Sequence, residues 1–298
     1  MIDLHLHSHH SDGLQSVAEL VAQAKVAGIA TFSLTDHDTI AGLAEARELA
    51  TQAGLSFIPG IELTTTKNAK TLHILAHGID PDNSQLAELL DHLREERKKG
   101  AVKKLERTNE KFKAAGKPEV DIKDVLALNK PLGTGVIIEY LVAHNFAQTN
   151  EEAYSYIEGM SIRPDVSTEE VIQVVHVAGG RATLAHPLAP KISLRNLTAD
   201  STELRALCAE LKTAGLDGLE VYTPAHTETD IDLASEIAQE LNLFVTIGSD
   251  WHGPLSAKGT SIRKYIPRYA KNYSNSFAEI PEKAVNACHS AFSSITST

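Results

Sequence analysis

The chain has 298 residues, of which 42% are hydrophobic and 22% are charged, a composition typical of globular proteins. Its formal net charge of −11 gives no general attraction for a phosphate backbone, which argues against a general nucleic-acid-binding module. Cys208 and Cys288 are far apart and form no CxxC pair, so neither a disulfide framework nor a cysteine zinc site is expected. The sequence shows no signal-peptide pattern and no apolar run of membrane-spanning length, so we expect a cytoplasmic protein without membrane contact.

Short apolar segments rich in β-forming residues alternate with amphipathic segments in both the first and the last part of the chain. The predicted strands are 2–6, 30–34, 56–59, 72–76, 181–185, 218–222 and 243–247. The predicted helices between them are 17–27, 40–53, 168–178, 202–214 and 229–241, and several are followed by glycine, the expected helix end. This alternation predicts an α/β protein with a mainly parallel sheet, open or closed into a barrel.

The alternation stops between residues 80 and 165, where a long charged helix precedes helical segments near 122–128, 136–144 and 151–158. We therefore predict three parts, which are a first barrel part over 1–79, a helical insertion over 80–165 and a second barrel part over 166–298. The basic runs of the long helix, such as Arg97-Lys98-Lys99, are interpreted as a solvated face, with a grip on an anionic substrate as the alternative. A terminal helix is predicted over 281–292.

Histidine and carboxylate side chains fall within the predicted strands or directly after them. His5 and His7 are two residues apart on the first strand, so they point to the same face of the sheet. The candidate ligands named below come from six of the seven predicted strands, and the C-terminal edge of parallel strands is where active sites form. The candidate metal ligands are His5, His7, Asp12, His37, Glu62, His73, His186, Asp250 and His252.

Two assignments leave alternatives open. His9 and His10 follow the first pair of histidines closely, and we prefer the first pair because it lies in the predicted strand. His77 lies four residues after His73, so strand alternation places both on one face and does not choose between them. We prefer His73 because it lies within the apolar run, whereas His77 precedes Gly78, where the strand is expected to end.

The candidate set contains six imidazoles and three carboxylates, which is too many for one catalytic zinc ion with about three protein ligands. Nine groups suit two or three divalent ions, with Glu62 as a bridge between them. Mixed nitrogen and oxygen ligands favour Mn²⁺, with Fe²⁺, Zn²⁺ or Mg²⁺ as alternatives. Three ions carry a charge of +6 against −3 from the carboxylates, so a site near +3 remains, and a phosphate monoester is the expected ligand.

Seven segments together resemble the PHP family, the polymerase and histidinol phosphatase superfamily of metal-dependent phosphoesterases. These are DLHLHSHHSDG (3–13), LTDHDTIAGLAEA (34–46), PGIELTT (59–65), LHILAHGID (72–80), GGRATLAHP (179–187), GLDGLEVYTPAH (215–226) and GSDWHG (248–253). The resemblance is strongest to a bacterial branch with a helical insertion, which includes 3′,5′-nucleoside bisphosphate phosphatases and a 5′→3′ exoribonuclease.

The resemblance implies a distorted seven-stranded (β/α) TIM-like barrel with a trinuclear metal site. One ion would be held by His5, His7, Glu62 and Asp250, a second by Glu62, His73 and His186, and a third by Asp12, His37 and His252. His226, in the loop after the sixth strand, is the candidate catalytic residue that assists the leaving group. The implied activity is hydrolysis of a small phosphate monoester, a nucleotide such as a 3′,5′-nucleoside bisphosphate, with exonucleolytic cleavage of short RNA as the alternative.

One segment departs from the family pattern. Thr134, Val136 and Glu139 stand where related proteins carry a basic run, and Glu139 is expected to repel a second phosphate. Substitutes for the basic run could come from Lys130, Arg163 and Lys191. An amidohydrolase is disfavoured because no predicted strand ends in lysine, and a non-catalytic metal-binding protein is disfavoured because every ligand position is filled. No obligate protein partner is expected.

Overall fold

The computed structural model describes residues 1–157, 163–253 and 280–295. Its strands are β1 Ile2–Asp3, β2 Thr31–Leu34, β3 Ser56–Lys67, β4 Lys70–His77, β5 Arg181–Leu184, β6 Gly218–Tyr222 and β7 Phe244–Ile247. The helices of the described ranges are α1 Val17–Val26, α2 Leu43–Ala53, α3 Ser84–Ala114, α4 Ile122–Leu126, α5 Thr134–Ala143, α6 Asn150–Ile157, α7 Thr168–Val177, α8 Ser201–Thr213, α9 Glu228–Glu240 and α10 Glu282–Phe292. The predicted terminal helix is confirmed as α10, whereas the predicted segment 151–158 ends at a residue outside the described ranges.

The seven strands form one sheet in sequence order, from β1 to β7. The sheet is nearly closed into a barrel because the chain after β1 pairs with the chain after β7. Leu4 donates its N–H to the carbonyl of Ile247 at 2.9 Å, and Leu6 forms a parallel bridge with Trp251. The predicted α/β barrel with surrounding helices is thus confirmed.

Strand β4 is the exception to the mainly parallel arrangement, since it runs antiparallel to both β3 and β5. β3 and β4 are longer than predicted and are joined by two residues, Asn68 and Ala69, which both have positive φ angles, 48° and 57°. A two-residue connection of this kind closes a hairpin and cannot join parallel strands. The reversal brings the first half of β4 to the edge where the neighbouring parallel strands end.

Local signals in the sequence set several helix boundaries. Ser16 caps α1, and its side chain and that of Glu19 form a reciprocal capping box. Helix α2 ends at Gly54, whose φ of 72° is left-handed and therefore strained for residues with a Cβ atom. Such caps satisfy backbone groups that the helix itself leaves without partners.

The hydrophobic residues form two separate cores. The larger core lies between the barrel strands and their helices, and the smaller one joins the second half of α3 with α4, α5 and α6. Helix α3 belongs to both, because Leu86 and Leu93 pack in the barrel core whereas Leu105 and Phe112 pack in the insertion core. The long helix therefore fixes the insertion rigidly to the mouth of the barrel.

Candidate metal centre

The candidate metal centre lies at the mouth of the barrel, where β1, β2 and β7 end. His5 and His7 flank Leu6, whose bridge to Trp251 brings them next to Asp250 and His252. The two histidines are fully buried and their Nε2 atoms lie 3.0 Å apart. The two rings meet at one point, as predicted, although both residues lie beyond β1 and flank the isolated bridge at Leu6.

Glu62 is the centre of the cluster and is 1% exposed. Its carboxylate oxygens lie within 3.3 Å of nitrogen atoms from five histidine rings. The distances are 3.2 Å to His5, 3.1 Å to His7 and 3.1 Å to His37 from Oε2, and 2.8 Å to His73 and 3.3 Å to His186 from Oε1. Because each oxygen of this carboxylate faces its own set of histidine nitrogens, the carboxylate is placed to bridge two ions.

Two further carboxylates extend the cluster. Asp12 Oδ1 lies 3.0 Å from His252 Nε2 and 3.9 Å from His37 Nε2. Asp250 Oδ1 lies 3.4 Å from His5 Nε2 and 3.5 Å from His252 Nδ1. All nine predicted candidates therefore lie together at one end of the barrel.

The ligand atoms form three groups in which every atom lies within 4.8 Å of the others. These groups are His5, His7, Glu62 and Asp250; His7, Asp12, His37 and His252; and His37, Glu62 and His73. The first group is the predicted first ligand set. The group around Asp12 contains the whole predicted third set and adds His7. The group around His73 contains His37 in place of the predicted His186, whose Nε2 lies 3.3 Å from Glu62 Oε1.

The donor atoms of the cluster fit divalent cations. Buried polar atoms normally have hydrogen-bond partners, because an unpaired one is costly. In the described part of the chain, several buried atoms of the cluster make no hydrogen bond. They are His7 Nδ1, Asp12 Oδ1, His37 Nδ1, Glu62 Oε2 and His186 Nδ1. Imidazole nitrogens and carboxylate oxygens concentrated in this way are the ligand types that Mn²⁺, Fe²⁺ and Zn²⁺ accept.

The pKa shifts of the cluster show which protonation states its groups hold without a cation. Burial lowers the pKa of His37 well below its usual value, so its ring is held in the neutral form that binds a metal. Burial also lowers the pKa of His5, but the charges of Glu220 and Glu62 outweigh it and raise the pKa overall. Against the opposing effect of burial, the neighbouring histidines hold the pKa of Glu62 well below its usual value. The carboxylate of Glu62 and the ring of His37 are thus in the forms that bind a cation, whereas the ring of His5 must release a proton to do so.

A further carboxylate, which the sequence analysis did not single out, orients the cluster. Glu220 is fully buried on β6, and its Oε1 accepts a hydrogen bond from His5 Nδ1 at 2.8 Å. Its Oε2 accepts the backbone N–H of His186 at 2.8 Å. A carboxylate behind a ligating histidine fixes the tautomer and ring orientation. The signal was available, since a charged residue within the apolar strand Gly218–Tyr222 requires a buried partner.

The two ends of β4 separate His73 from His77. His73 pairs in register with Thr64 and reaches Glu62, whereas His77 pairs with Gly60 at the opposite end of the strand. His77 donates from Nε2 to the carbonyl of Leu4 at 2.8 Å, and burial lowers its pKa to about 4. The structure therefore brings His73 and not His77 into the cluster.

His226 does not have the contacts expected of a proton donor. It is 1% exposed, its Nδ1 donates to the carbonyl of Val221 at 2.9 Å, and its Nε2 accepts the N–H of Leu188 at 3.1 Å. A ring with both nitrogens bonded to the backbone has no free proton for a leaving group. Because Leu188 follows His186 by two residues, His226 instead fastens the loop that carries His186.

The charged residues proposed to face a second phosphate point elsewhere. Glu139 is exposed on α5 and accepts a hydrogen bond from Lys130 at 2.9 Å. Arg163 donates to the carbonyl of Ala69 in the β3–β4 turn, and the Lys191 ammonium lies 5.3 Å from the Tyr154 ring centroid. Glu139 is thus paired with Lys130, and its expected repulsion of a second phosphate stays a prediction.

A nearly closed α/β barrel with a cluster of histidines and carboxylates at its mouth defines a metal-dependent hydrolase. The model of the PHP domain family matches residues 3–246, and the chain belongs to this family. The chain is thus a metal-dependent phosphoesterase, a hydrolase that acts on phosphate esters. No helix within the described residues has both the length and the apolar character needed to cross a bilayer.

Three relatives of known activity are similar over most of their length. The 5′-3′ exoribonuclease of Haemophilus influenzae is 30% identical, with 85% of this chain and 90% of the relative aligned. The 3′,5′-nucleoside bisphosphate phosphatase of Chromobacterium violaceum is 28% identical over 85% and 87% of the two chains. The phosphoribosyl 1,2-cyclic phosphate 1,2-diphosphodiesterase of Eggerthella lenta is 31% identical over 84% and 94%.

Solved structures show the same fold. A protein of Bifidobacterium adolescentis described as a metal-dependent phosphoesterase superposes with a TM-score of 0.74 at 29% identity, over 97% of this chain and 95% of that protein. An amidohydrolase of Chromobacterium violaceum, determined with bound sulfate and no metal, has a TM-score of 0.71 at 27% identity, over 87% and 90% of the chains.

Proposed function

We propose that the protein hydrolyses a small phosphate monoester, a nucleotide such as a 3′,5′-nucleoside bisphosphate, with two or three divalent ions held at the barrel mouth. The observation that carries this proposal is the position of Glu62, whose two oxygens face five histidine rings. Mn²⁺ is the ion we propose first, with Fe²⁺, Zn²⁺ or Mg²⁺ as alternatives. The proposed ligands are His5, His7, Asp12, His37, Glu62, His73, His186, Asp250 and His252.

Each protein group has a defined part in this proposal. The neutral ring of His37 and the ionised carboxylates of Asp12 and Glu62 are in the protonation states that bind cations. Bound divalent ions would supply charge neutralisation for the phosphate and an activated water molecule. Glu220 holds the ring of His5, so the donor atoms are oriented before substrate arrives.

The charge balance supports a phosphate substrate. Three divalent ions carry +6 against −3 from Asp12, Glu62 and Asp250, so a loaded site attracts a dianionic group although the whole chain carries −11. The bisphosphate phosphatase of Chromobacterium violaceum supports a nucleotide as the substrate.

Cleavage of short RNA from the 5′ end is the second candidate function, and the similarity to the Haemophilus influenzae exoribonuclease supports it. A length series of 5′-phosphorylated oligonucleotides separates the two candidates. Stepwise shortening would favour the exoribonuclease, whereas phosphate release from adenosine 3′,5′-bisphosphate alone would favour the phosphatase.

The test begins with metal analysis of the purified protein, followed by phosphate release from a panel of esters. The panel contains adenosine 3′,5′-bisphosphate, AMP, histidinol phosphate and a 5′-phosphorylated trinucleotide. We expect His37→Ala and Asp250→Ala each to lose at least about 10³-fold in hydrolysis, because each removes a ligand for an essential ion. His9→Ala is the matched control, since His9 lies in the same histidine-rich segment and is exposed. Full activity of either variant would contradict the proposed ligand set.

A further inference from the structure

Lys104 is a buried cation for which the described part of the chain provides no counter-charge. It lies in the second half of α3 and is 2% exposed. Among the described residues, no carboxylate lies within 4.0 Å of its Nζ, which donates a hydrogen bond to Thr134 Oγ1 at 2.8 Å. A buried ammonium without an opposite charge is costly and is expected to have an anionic partner.

The partner of Lys104 begins a helix whose N-terminus is uncapped. Thr134 is the first residue of α5, and the N-cap residue Gly133 makes no side-chain hydrogen bond. The first N–H groups of a helix have no partner within it and carry a partial positive charge. Arg97 also lies near this helix start, since a Cβ atom placed on Gly133 would lie 3.1 Å from Arg97 Nη1, but its charge is paired with the Asp38 carboxylate.

This positive region adjoins the candidate metal centre. A Cβ atom placed on Gly135 would lie 3.0 Å from Asp12 Oδ2, so the first turn of α5 is in close contact with Asp12. Asp12 itself lies within 3.0 Å of His252 Nε2. A ligand that reached the ions beside Asp12 would therefore also meet the N-terminus of α5.

We propose that Lys104, Thr134 and the first-turn N–H groups of α5 form an anion subsite that binds a phosphate group of the substrate beside the metal centre. The identification of the anion as substrate phosphate rests on the proposed function, whereas the anion subsite rests on the buried ammonium and the helix N-terminus. Related proteins carry a basic run at the positions of residues 134–139, which this chain lacks. In the proposed subsite, Lys104 of α3 supplies the positive charge instead.

The charge state of Lys104 suits this role. Burial, together with the nearby charge of Arg97, lowers the pKa of Lys104 to about 8. At neutral pH the side chain therefore still carries a proton and can donate charged hydrogen bonds to a phosphate oxygen. The nearest acidic side chain on α5, Glu139, is directed to solvent and paired with Lys130.

The test measures binding of inorganic phosphate to the metal-loaded protein by isothermal titration calorimetry, with the metal content determined for every variant. Lys104→Met keeps the aliphatic length of the side chain and removes its charge. It is expected to weaken phosphate binding about tenfold or more, the effect of losing a charge-assisted hydrogen bond. Lys104→Arg is expected to retain most of the affinity.

Lys103→Met is the matched control, because Lys103 is the exposed neighbour on the same helix and its loss changes the net charge equally. Its phosphate affinity is expected to stay within about twofold of the wild type, since exposed charges are screened. If Lys104→Met does not fold, Thr134→Val provides the test and is expected to weaken binding in the same direction.

Unchanged phosphate affinity in Lys104→Met with normal metal content would overturn the subsite, and so would an equal loss in Lys103→Met. The outcomes for the two proposals are distinct. A wild-type protein that binds phosphate through Lys104 but hydrolyses none of the panel esters would refute the proposed function alone. An active protein whose phosphate affinity is independent of Lys104 would refute the subsite alone.

Discussion

The barrel mouth and the helical insertion both bury charged groups, but the groups have opposite signs. The barrel buries carboxylates and imidazoles at the ends of strands that lie far apart in the chain, as His5 and Asp250 do. The insertion buries two cationic side chains, Arg97 and Lys104, on one face of a single helix. The barrel mouth thus offers ligands for cations, and the insertion offers the Lys104 ammonium to an anion beside them, whereas Arg97 is already paired with Asp38.

The two regions are joined by a buried ion pair. Asp38 Oδ2 accepts from Arg97 Nε at 2.5 Å, and Arg97 Nη2 donates to Thr64 Oγ1 at 2.7 Å. Asp38 also accepts the N–H of Thr64 at 2.7 Å and has a strained φ of 48°, directly after His37. This ion pair thus adds a buried polar contact between barrel and insertion to the packing of α3 in both cores.

The largest effect is expected from Arg97→Met, which leaves the Asp38 carboxylate buried without its cation. Removing one partner of a buried pair costs about 3–5 kcal/mol, so we expect a loss of about 3 kcal/mol in the free energy of unfolding. Urea denaturation of the metal-loaded protein measures this loss. The double variant Asp38→Asn/Arg97→Met should recover part of it, because no unpaired charge remains.

Arg94→Met is the control for this substitution. Arg94 lies one turn earlier on α3, is exposed and pairs with Asp91 at the surface, where an ion pair contributes little, so less than about 1 kcal/mol should be lost. Equal losses in the two variants would show that the Asp38–Arg97 pair does not join barrel and insertion.

The same contrast explains what could be predicted from the sequence. The two-residue spacing of His5 and His7 and the position of Glu62 just after the predicted strand 56–59 were visible as patterns, although β3 continues through Glu62 to Lys67. The direction of β4 was not predicted, because the hairpin turn at Asn68 and Ala69 lacks the usual glycine. His73 was therefore chosen for its place in the apolar run and not for the reversal that brings it to the mouth.

The charged residues of α3 show a second limit. The interpretation of its basic runs as a solvated face holds for Lys98 and Lys99, which pair with neighbouring glutamates at the surface. It is wrong for Arg97 and Lys104, which share a buried stripe with Leu105. Their seven-residue spacing was detectable, but composition alone does not show which stripe of a charged helix packs inward.

A smaller effect is expected from Glu220→Gln, which tests whether the hydrogen bond from His5 Nδ1 to Glu220 orients the His5 ring. Loss of the carboxylate partner of a ligating histidine reduces metal affinity about 10–100-fold. Competition with a chelator for Mn²⁺ measures this change, and added metal should restore part of the activity. Glu240→Gln, at an exposed surface pair with Arg205, should bind metal as the wild type does. Wild-type affinity in Glu220→Gln would mean that the barrel holds His5 without this contact.

The smallest effect on catalysis is expected from His226→Gln, which separates a positioning role from proton donation. Loss of the imidazole leaves the N–H of Leu188 or the carbonyl of Val221 without a matched partner, at a cost of about 1–2 kcal/mol in unfolding free energy. If His226 only positions the loop of His186, kcat should fall less than about fivefold and its pH profile should keep its shape. His92→Gln, at an exposed helix position, should change neither property.

The pH dependence of stability gives His226→Gln a second readout. Burial lowers the pKa of His226 below the ordinary value of 6.5. Just below pH 6.5, this histidine therefore binds a proton in the unfolded chain but stays neutral in the folded protein. Wild-type stability therefore decreases from this source as pH falls below 6.5. The variant has no such group, so its stability deficit should be largest above pH 6.5 and shrink toward pH 5. If the loss of unfolding free energy in the variant is constant with pH and one side of the pH profile of kcat disappears, His226 acts as a proton donor.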